Sequence, residues 1–147
     1  MSTPVATRLM TIEEFLKLPD DGVERELTRG ELRERGSRET TRRNRRHGRA
    51  EATISLVLGA WLWQNPDRAG EIVSGETGFI LGRDPATGVG IDVAYVSAEV
   101  AAKAPELPYF EGPPVLAVEI LSPSDTQEDI DEKRSLYLES GSRSCGW

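Results

Sequence analysis

Three ionisable residues sit where the surrounding pattern asks for apolar ones. Glu119 lies inside VLAVEIL (115–121), a run otherwise apolar that ends at Ser122-Pro123. Such a run predicts a strand buried on both faces. An isolated carboxylate is strongly disfavoured there unless it is paired or neutralised. Asp92 lies in IDVAYV (91–96), a second strand-like run, and aspartate is depleted in strands. Lys133 shares one helical face with Ile130 and Tyr137, at i, i+3 and i+7, so it should look inward with them. Two carboxylates held close on one sheet face raise each other's pKa unless a cation lies between them. A hard divalent ion, Mg²⁺ or Mn²⁺, takes oxygen ligands of this kind. The combination predicts a metal site held by Asp92 and Glu119, with the Lys133 ammonium beside it. Taken singly, each residue also has a plainer reading. Glu119 could pair with an arginine or lie at a sheet edge, Asp92 could be a turn residue, and Lys133 could reach solvent along its stem.

Other candidates surround this trio. His47, the single histidine, falls at the start of a helical pattern on or beside its inward stripe. There it could orient a substrate phosphate or a carboxylate, or simply cap and pack. Glu26 and Glu31 flank an Arg29-Gly30 turn, and either could add an oxygen ligand if the hairpin packs over the site. Other chemistries lack their residues. There is no phosphate-loop or GxGxxG pattern and no GxSxG elbow. One cysteine, Cys145, rules out an internal disulfide and a cysteine-rich zinc site.

The formal net charge of -7 does not suggest a nucleic-acid binder, and its distribution is more informative. Arg33, Arg35, Arg38, Arg42, Arg43, Arg45, Arg46 and Arg49 crowd one segment against Glu34 and Glu39. Such a segment can track phosphates, or it can be a solvated loop. Arg43 and Arg46 are the candidate phosphate contacts. Asp125, Glu128, Asp129, Asp131 and Glu132 form an acidic cluster near the other end.

The elements that must position these residues follow from punctuation and period. Thr11-Ile12-Glu13-Glu14 is a capping box and predicts a short helix to Leu18. Val23–Thr28 and Glu31–Arg35 read as a β-hairpin. The stretch 36–46 has no apolar residue and reads as a loop. Ala50, Ile54, Val57, Leu58, Trp61 and Leu62 repeat at helical spacing and end at Asn65-Pro66. Strands are expected over 71–74, 77–81, 91–96 and 115–121, with a turn-rich loop over 82–88. A short helix is expected from Ser97 to Lys103, and a last one from Ser124 or Asp125 to Leu138. This order predicts an α/β or α+β fold, a mixed sheet flanked by helices. At 147 residues it is expected to form one domain. The apolar runs are too short to span a bilayer. No secretory signal pattern is present, and a cytoplasmic location is the expectation.

The stretches MTIEEFLKLPDDG, ERELTRGELRER, RRHGRAEATISLVLGAWL, GIDVAYVSAEVAA, GPPVLAVEILSPSDT and DIDEKRSLYLESG resemble the bacterial Uma2 family, described as restriction endonucleases. The resemblance covers roughly residues 9–141, with the segments in family order. It implies a restriction-endonuclease-like fold of the PD-(D/E)xK superfamily and Mg²⁺- or Mn²⁺-dependent hydrolysis of DNA. It implies Asp92 as the motif aspartate and Glu119 as the second acid. Two residues after Glu119 the usual motif has lysine, whereas this chain has Leu121, and the family's lysine corresponds to Lys133. The resemblance also suggests a role for a hairpin acid, Glu31 in preference to Glu26, and matches His47 to a helix-start histidine. A homodimer is an expected assembly for cutting both strands. After Gly141 the likeness stops. Family members continue with an apolar strand, whereas SRSCGW carries no strand pattern. The expectation is a truncated or frameshifted end that lacks the last core strand after 141. An inactive nuclease-like module that binds DNA or protein, or a non-functional fragment, is the alternative reading.

Overall fold

The fold is seen in a computed structural model that describes residues 8–35, 44–142 and 144–146. Its elements begin with α1 (Ile12–Leu16), where Thr11 and Glu14 close the predicted capping box and Ile12 and Phe15 are buried. The hairpin β1 (Glu24–Thr28) and β2 (Glu31–Arg35) follows. Arg29 and Gly30 both have positive φ, 47° and 86°, as a two-residue turn matched to strand twist requires. Then come α2 (Arg45–Gln64), β3 (Glu71–Arg83), β4 (Ala86–Val96), α3 (Ala98–Ala102), β5 (Phe110–Glu111), β6 (Leu116–Val118), α4 (Gln127–Ser140) and β7 (Ser144–Gly146).

The seven strands form one mixed sheet. Its main path is β2-β1-β4-β3-β5, with β6 on β4 and β7 on β6. The β3–β5 and β6–β7 pairs are parallel and the others antiparallel. One core cluster joins Phe79, Val89, Ile91, Val96, Ala117 and Tyr137. A second joins α1, through Ile12 and Phe15, to Leu27 and Ile80. This is the mixed sheet with flanking helices and an N-terminal hairpin that the sequence predicts. Among the described residues, no helix is long and apolar enough to cross a membrane.

Several boundaries differ from the sequence reading, each for a physical reason. The expected strands 71–74 and 77–81 are one long strand, because Gly75 and Glu76 form a bulge instead of a break. The expected loop 82–88 narrows to Asp84-Pro85, since β3 and β4 keep pairing out to Arg83 and Ala86. Arg45 and Arg46 belong to α2, because Asn44 caps the helix by accepting from the His47 N–H at 2.8 Å. Val57 and Trp61, expected to face inward, are 62% and 38% exposed. Thr126, not Ser124 or Asp125, caps α4. The strand over 115–121 shrinks to Leu116–Val118, so Glu119 stands just past its end. The tail expected to have no strand pairs Ser144–Gly146 with Leu116–Val118, because the open edge of β6 accepts any extended backbone.

Candidate active site

β6 and β1 share one edge of β4. Leu27 of β1 pairs with Gly88, whereas Leu116–Val118 pair with Tyr95–Val93. Between Gly88 and Val93 the two strands part, and a cleft of about 220 Å³ opens in the fork. Glu26, Asp92 and Glu119 line it together with His47, Glu76 and Lys133. Asp92 and Glu119 are only 5% and 7% exposed. Their juxtaposition follows from register: Val93 opposes Val118, so the next step sets Asp92 opposite Glu119, and directly opposed residues share a face. The Ile120 N–H fixes Asp92 by donating to its Oδ2 at 2.8 Å.

The helix α4 supplies the counter-charge. Lys133 Nζ lies 3.0 Å from Glu26 Oε1 and 3.2 Å from Glu119 Oε1. One turn further on, the hydroxyl of Tyr137 donates to the same Glu119 oxygen. The hairpin is clamped onto α4 by Arg29–Glu139 at 2.9 Å and by Arg33–Glu132, in addition to Glu26–Lys133. Burial pushes the Glu119 carboxyl up to about 7. Lys133 and the Tyr137 hydroxyl pull it down, while the charge and hydrogen bond of neighbouring Asp92 push it up again. Desolvation is the largest of these causes, as expected for a carboxyl buried with one cation and one hydroxyl beside it.

Opposite α4, His47 is buried, with Nε2 3.3 Å from Asp92 Oδ1 and Nδ1 3.6 Å from Glu51 Oε2. Glu76 also lines the cleft, from a bulge where its φ is 58°. A non-glycine residue pays steric strain there, and such strain clusters at functional sites.

The structure thus brings Asp92, Glu119, Lys133 and His47 together. It does not bring Glu31. That side chain is 62% exposed beside the hairpin turn and 3.8 Å from Arg33, so Glu26, not Glu31, is the hairpin acid of the cleft. The cause is distance along the strand: the Leu27–Gly88 pair sets Glu26 at the fork, and Glu31 lies at the far end of the ribbon. Arg46 is exposed on the first turn of α2 and does not line the cleft. Arg43 lies outside the described residues. Glu51 and the Tyr137 hydroxyl were not singled out by sequence reasoning. Tyr137 had a signal, its place on the Lys133 stripe, but there it reads as core.

Glu119 and Asp92 offer hard oxygen donors in contact with one another. Among the described residues, no group of three or more His, Cys, Asp or Glu side chains is disposed to enclose a metal ion. A two-carboxylate set of this kind fits Mg²⁺, which is commonly bound by one or two carboxylates and completed by water and phosphate oxygens.

No curated protein matches the chain. Among solved structures it is similar to a "putative nuclease belonging to DUF820" from Anabaena variabilis ATCC 29413. The TM-score is 0.72 at 20% identity, over 94% of this chain and 72% of that one, a likeness of fold. The family model described as "Putative restriction endonuclease" matches residues 12–145, and with nearly its whole length so covered the chain belongs to the Uma2 family.

Proposed function

We propose that this protein is a metal-dependent endonuclease that hydrolyses DNA phosphodiester bonds in the β1–β6 fork, with Asp92 and Glu119 as the acids of a PD-(D/E)xK-type site. The observation that carries this reading is the meeting of Asp92, Glu119 and Lys133, from β4, the end of β6 and α4, around one buried point.

Electrostatics supports a cation at that point. Glu24, Glu26, Glu76, Asp92, Glu119, Asp125 and Asp129 line the cleft. Among the described lining residues, Lys133 is the only lysine or arginine. A phosphodiester would be repelled from so acidic a cleft unless positive charge accompanied it. A divalent ion held by Asp92 and Glu119 would supply that charge and acidify an attacking water. The chain's own residues do the rest. Asp92 is held by the Ile120 N–H, and Glu119 by Tyr137, so both point into the fork without having to reorganise. Lys133, poised between Glu26 and Glu119, keeps a fixed ammonium to stabilise the charge that builds on phosphate. The arginines of the first turn of α2 would hold the DNA backbone outside the cleft. One cleft cuts one strand, so a double-strand break would require two copies.

A supercoiled-plasmid nicking assay with Mg²⁺ or Mn²⁺ tests the reading. Nicking should vanish with chelator and in Asp92→Ala and Glu119→Gln. Cleavage retained in both variants removes the site. A protein that binds DNA without any Mn²⁺-dependent rise in melting temperature is a binding module instead.

A further inference from the structure

One side chain outside the cleft links the bulge in β3 to the histidine beside Asp92. Between Ser74↔Val93 and Thr77↔Ile91, β3 takes three steps where β4 takes two. The extra residue therefore lies opposite Asp92, and Gly75 and Glu76 absorb it with φ of 82° and 58°. A bulge frees a backbone donor from the ladder. Here the Gly75 N–H turns to Glu51 Oε1 at 2.5 Å. The other oxygen of Glu51 lies 3.6 Å from His47 Nδ1, one helical turn away on α2. His47 Nε2 in turn lies 3.3 Å from Asp92 Oδ1. The chain of contacts starts at the bulge opposite Asp92, crosses α2, and returns to Asp92.

Two details give this circuit a direction. His47 Nδ1 is buried and has no hydrogen-bond partner within bonding distance, and the Glu51 carboxylate lies beside it, where it would accept from Nδ1 when that nitrogen carries a proton. Moreover, an oxygen lies beside each ring nitrogen. A flip would set ring carbons against both carboxylates. A buried histidine held this way is well placed to hold the Asp92 carboxylate still.

We propose that Glu51 is a positioning residue, which orients His47 and through it sets Asp92 for the cation. This rests on the reading of Asp92 as a cation ligand. Groups that orient a ligating side chain directly, as His47 would Asp92, are commonly worth roughly 10–100-fold in metal affinity, and Glu51 acts one contact further out.

Because His47 is the single histidine, its ring nitrogens can be read in the full chain by ¹⁵N NMR without assignment. Spectra of the metal-free protein and Mn²⁺ titration calorimetry are compared for wild type, Glu51→Ala, Glu51→Asp and Glu51→Gln. Glu51→Ala should move the Nδ1 resonance and weaken Mn²⁺ roughly 10-fold, the lower end of the range for direct partners. Glu51→Asp, one methylene too short, should do the same if Glu51→Ala does not fold. Glu51→Gln keeps an oxygen for only one of the Gly75 N–H and Nδ1, so it should fall between wild type and Glu51→Ala in both. Unmoved His47 resonances in the alanine and aspartate variants overturn the contact. Moved resonances with Mn²⁺ affinity kept within twofold overturn its purpose. Wild type that binds no Mn²⁺ overturns the cation reading itself, while the spectra still decide whether Glu51 holds the ring.

Discussion

The fully buried Tyr137 donates its hydroxyl to Glu119 Oε1, the oxygen that Lys133 Nζ approaches at 3.2 Å. A single carboxylate oxygen therefore receives a neutral donor and a cation from consecutive turns of one helix, yet the carboxyl still titrates near 7. Burial outweighs both partners. A carboxyl so placed leans toward its protonated form.

That imbalance fixes the sign of a pH effect. The Glu119 carboxyl is raised from 4.5 to about 7 in the folded chain, so the folded state binds a proton the unfolded state has already lost. Its contribution to stability is complete below 4.5 and disappears as pH rises through 7. The difference is on the order of 3 kcal/mol, or roughly 10 °C in melting temperature for a chain of this size. Metal-free protein should melt progressively lower from pH 5 to pH 8 by calorimetry, and Glu119→Gln should flatten that slope. Saturating Mg²⁺ should release a proton near pH 7, measurable by repeating the titration in buffers of different ionisation enthalpy. A flat wild-type profile would contradict the burial of this carboxylate.

Removing the ammonium has a separate consequence. Lys133 is largely buried against Glu26 and Glu119, and Lys133→Met leaves two buried acids facing each other. Breaking one partner of such a pair costs about 3–5 kcal/mol. Denaturant melts at pH 8 should show that loss, and nicking should fall by about 10² or more, in the range seen when a transition-state donor is removed. Lowering the pH toward 5 should recover stability without activity, because protonation satisfies the acids but supplies no cation.

The two hairpin glutamates should behave differently. Glu26→Gln removes a partner of Lys133 inside the cleft and should reduce nicking strongly, whereas Glu31→Gln should leave it within about twofold, since exposed surface pairs contribute little. Equal effects from the two variants would place the hairpin elsewhere relative to α4.

This pair also marks where the sequence stops being informative. Glu119 and Asp92 were legible because each interrupts an apolar strand, and Lys133 because it breaks an inward stripe. Those are local signals. Glu26 and Glu31 are both hairpin acids, and the ladder puts them on one face, with Glu26 across from Arg33 and Glu31 across from Thr28. Only the non-local Leu27–Gly88 pairing separates them. The bulge at Gly75-Glu76 read as a strand break for a similar reason: glycine marks both, and pairing with β4 decides between them. Glu51 carried no signal at all, being an ordinary polar residue on a helix until the bulge brought the Gly75 N–H to it.

The basic segment yields a prediction about binding instead of chemistry. Arg46 is exposed at the start of α2, immediately before His47 and outside the acidic cleft. If DNA docks as proposed, a guanidinium there would touch phosphate without touching the reacting atoms and would displace one condensed counterion. Arg46→Ala should therefore weaken binding about equally for unrelated duplexes and lower the slope of log affinity against log salt by about 1. Cleavage at saturating DNA should keep its rate. Fluorescence anisotropy at several salt concentrations measures the slope directly. An unchanged slope would move the phosphate track away from the start of α2, and a lost rate at saturation would mean that this arginine reaches into the fork.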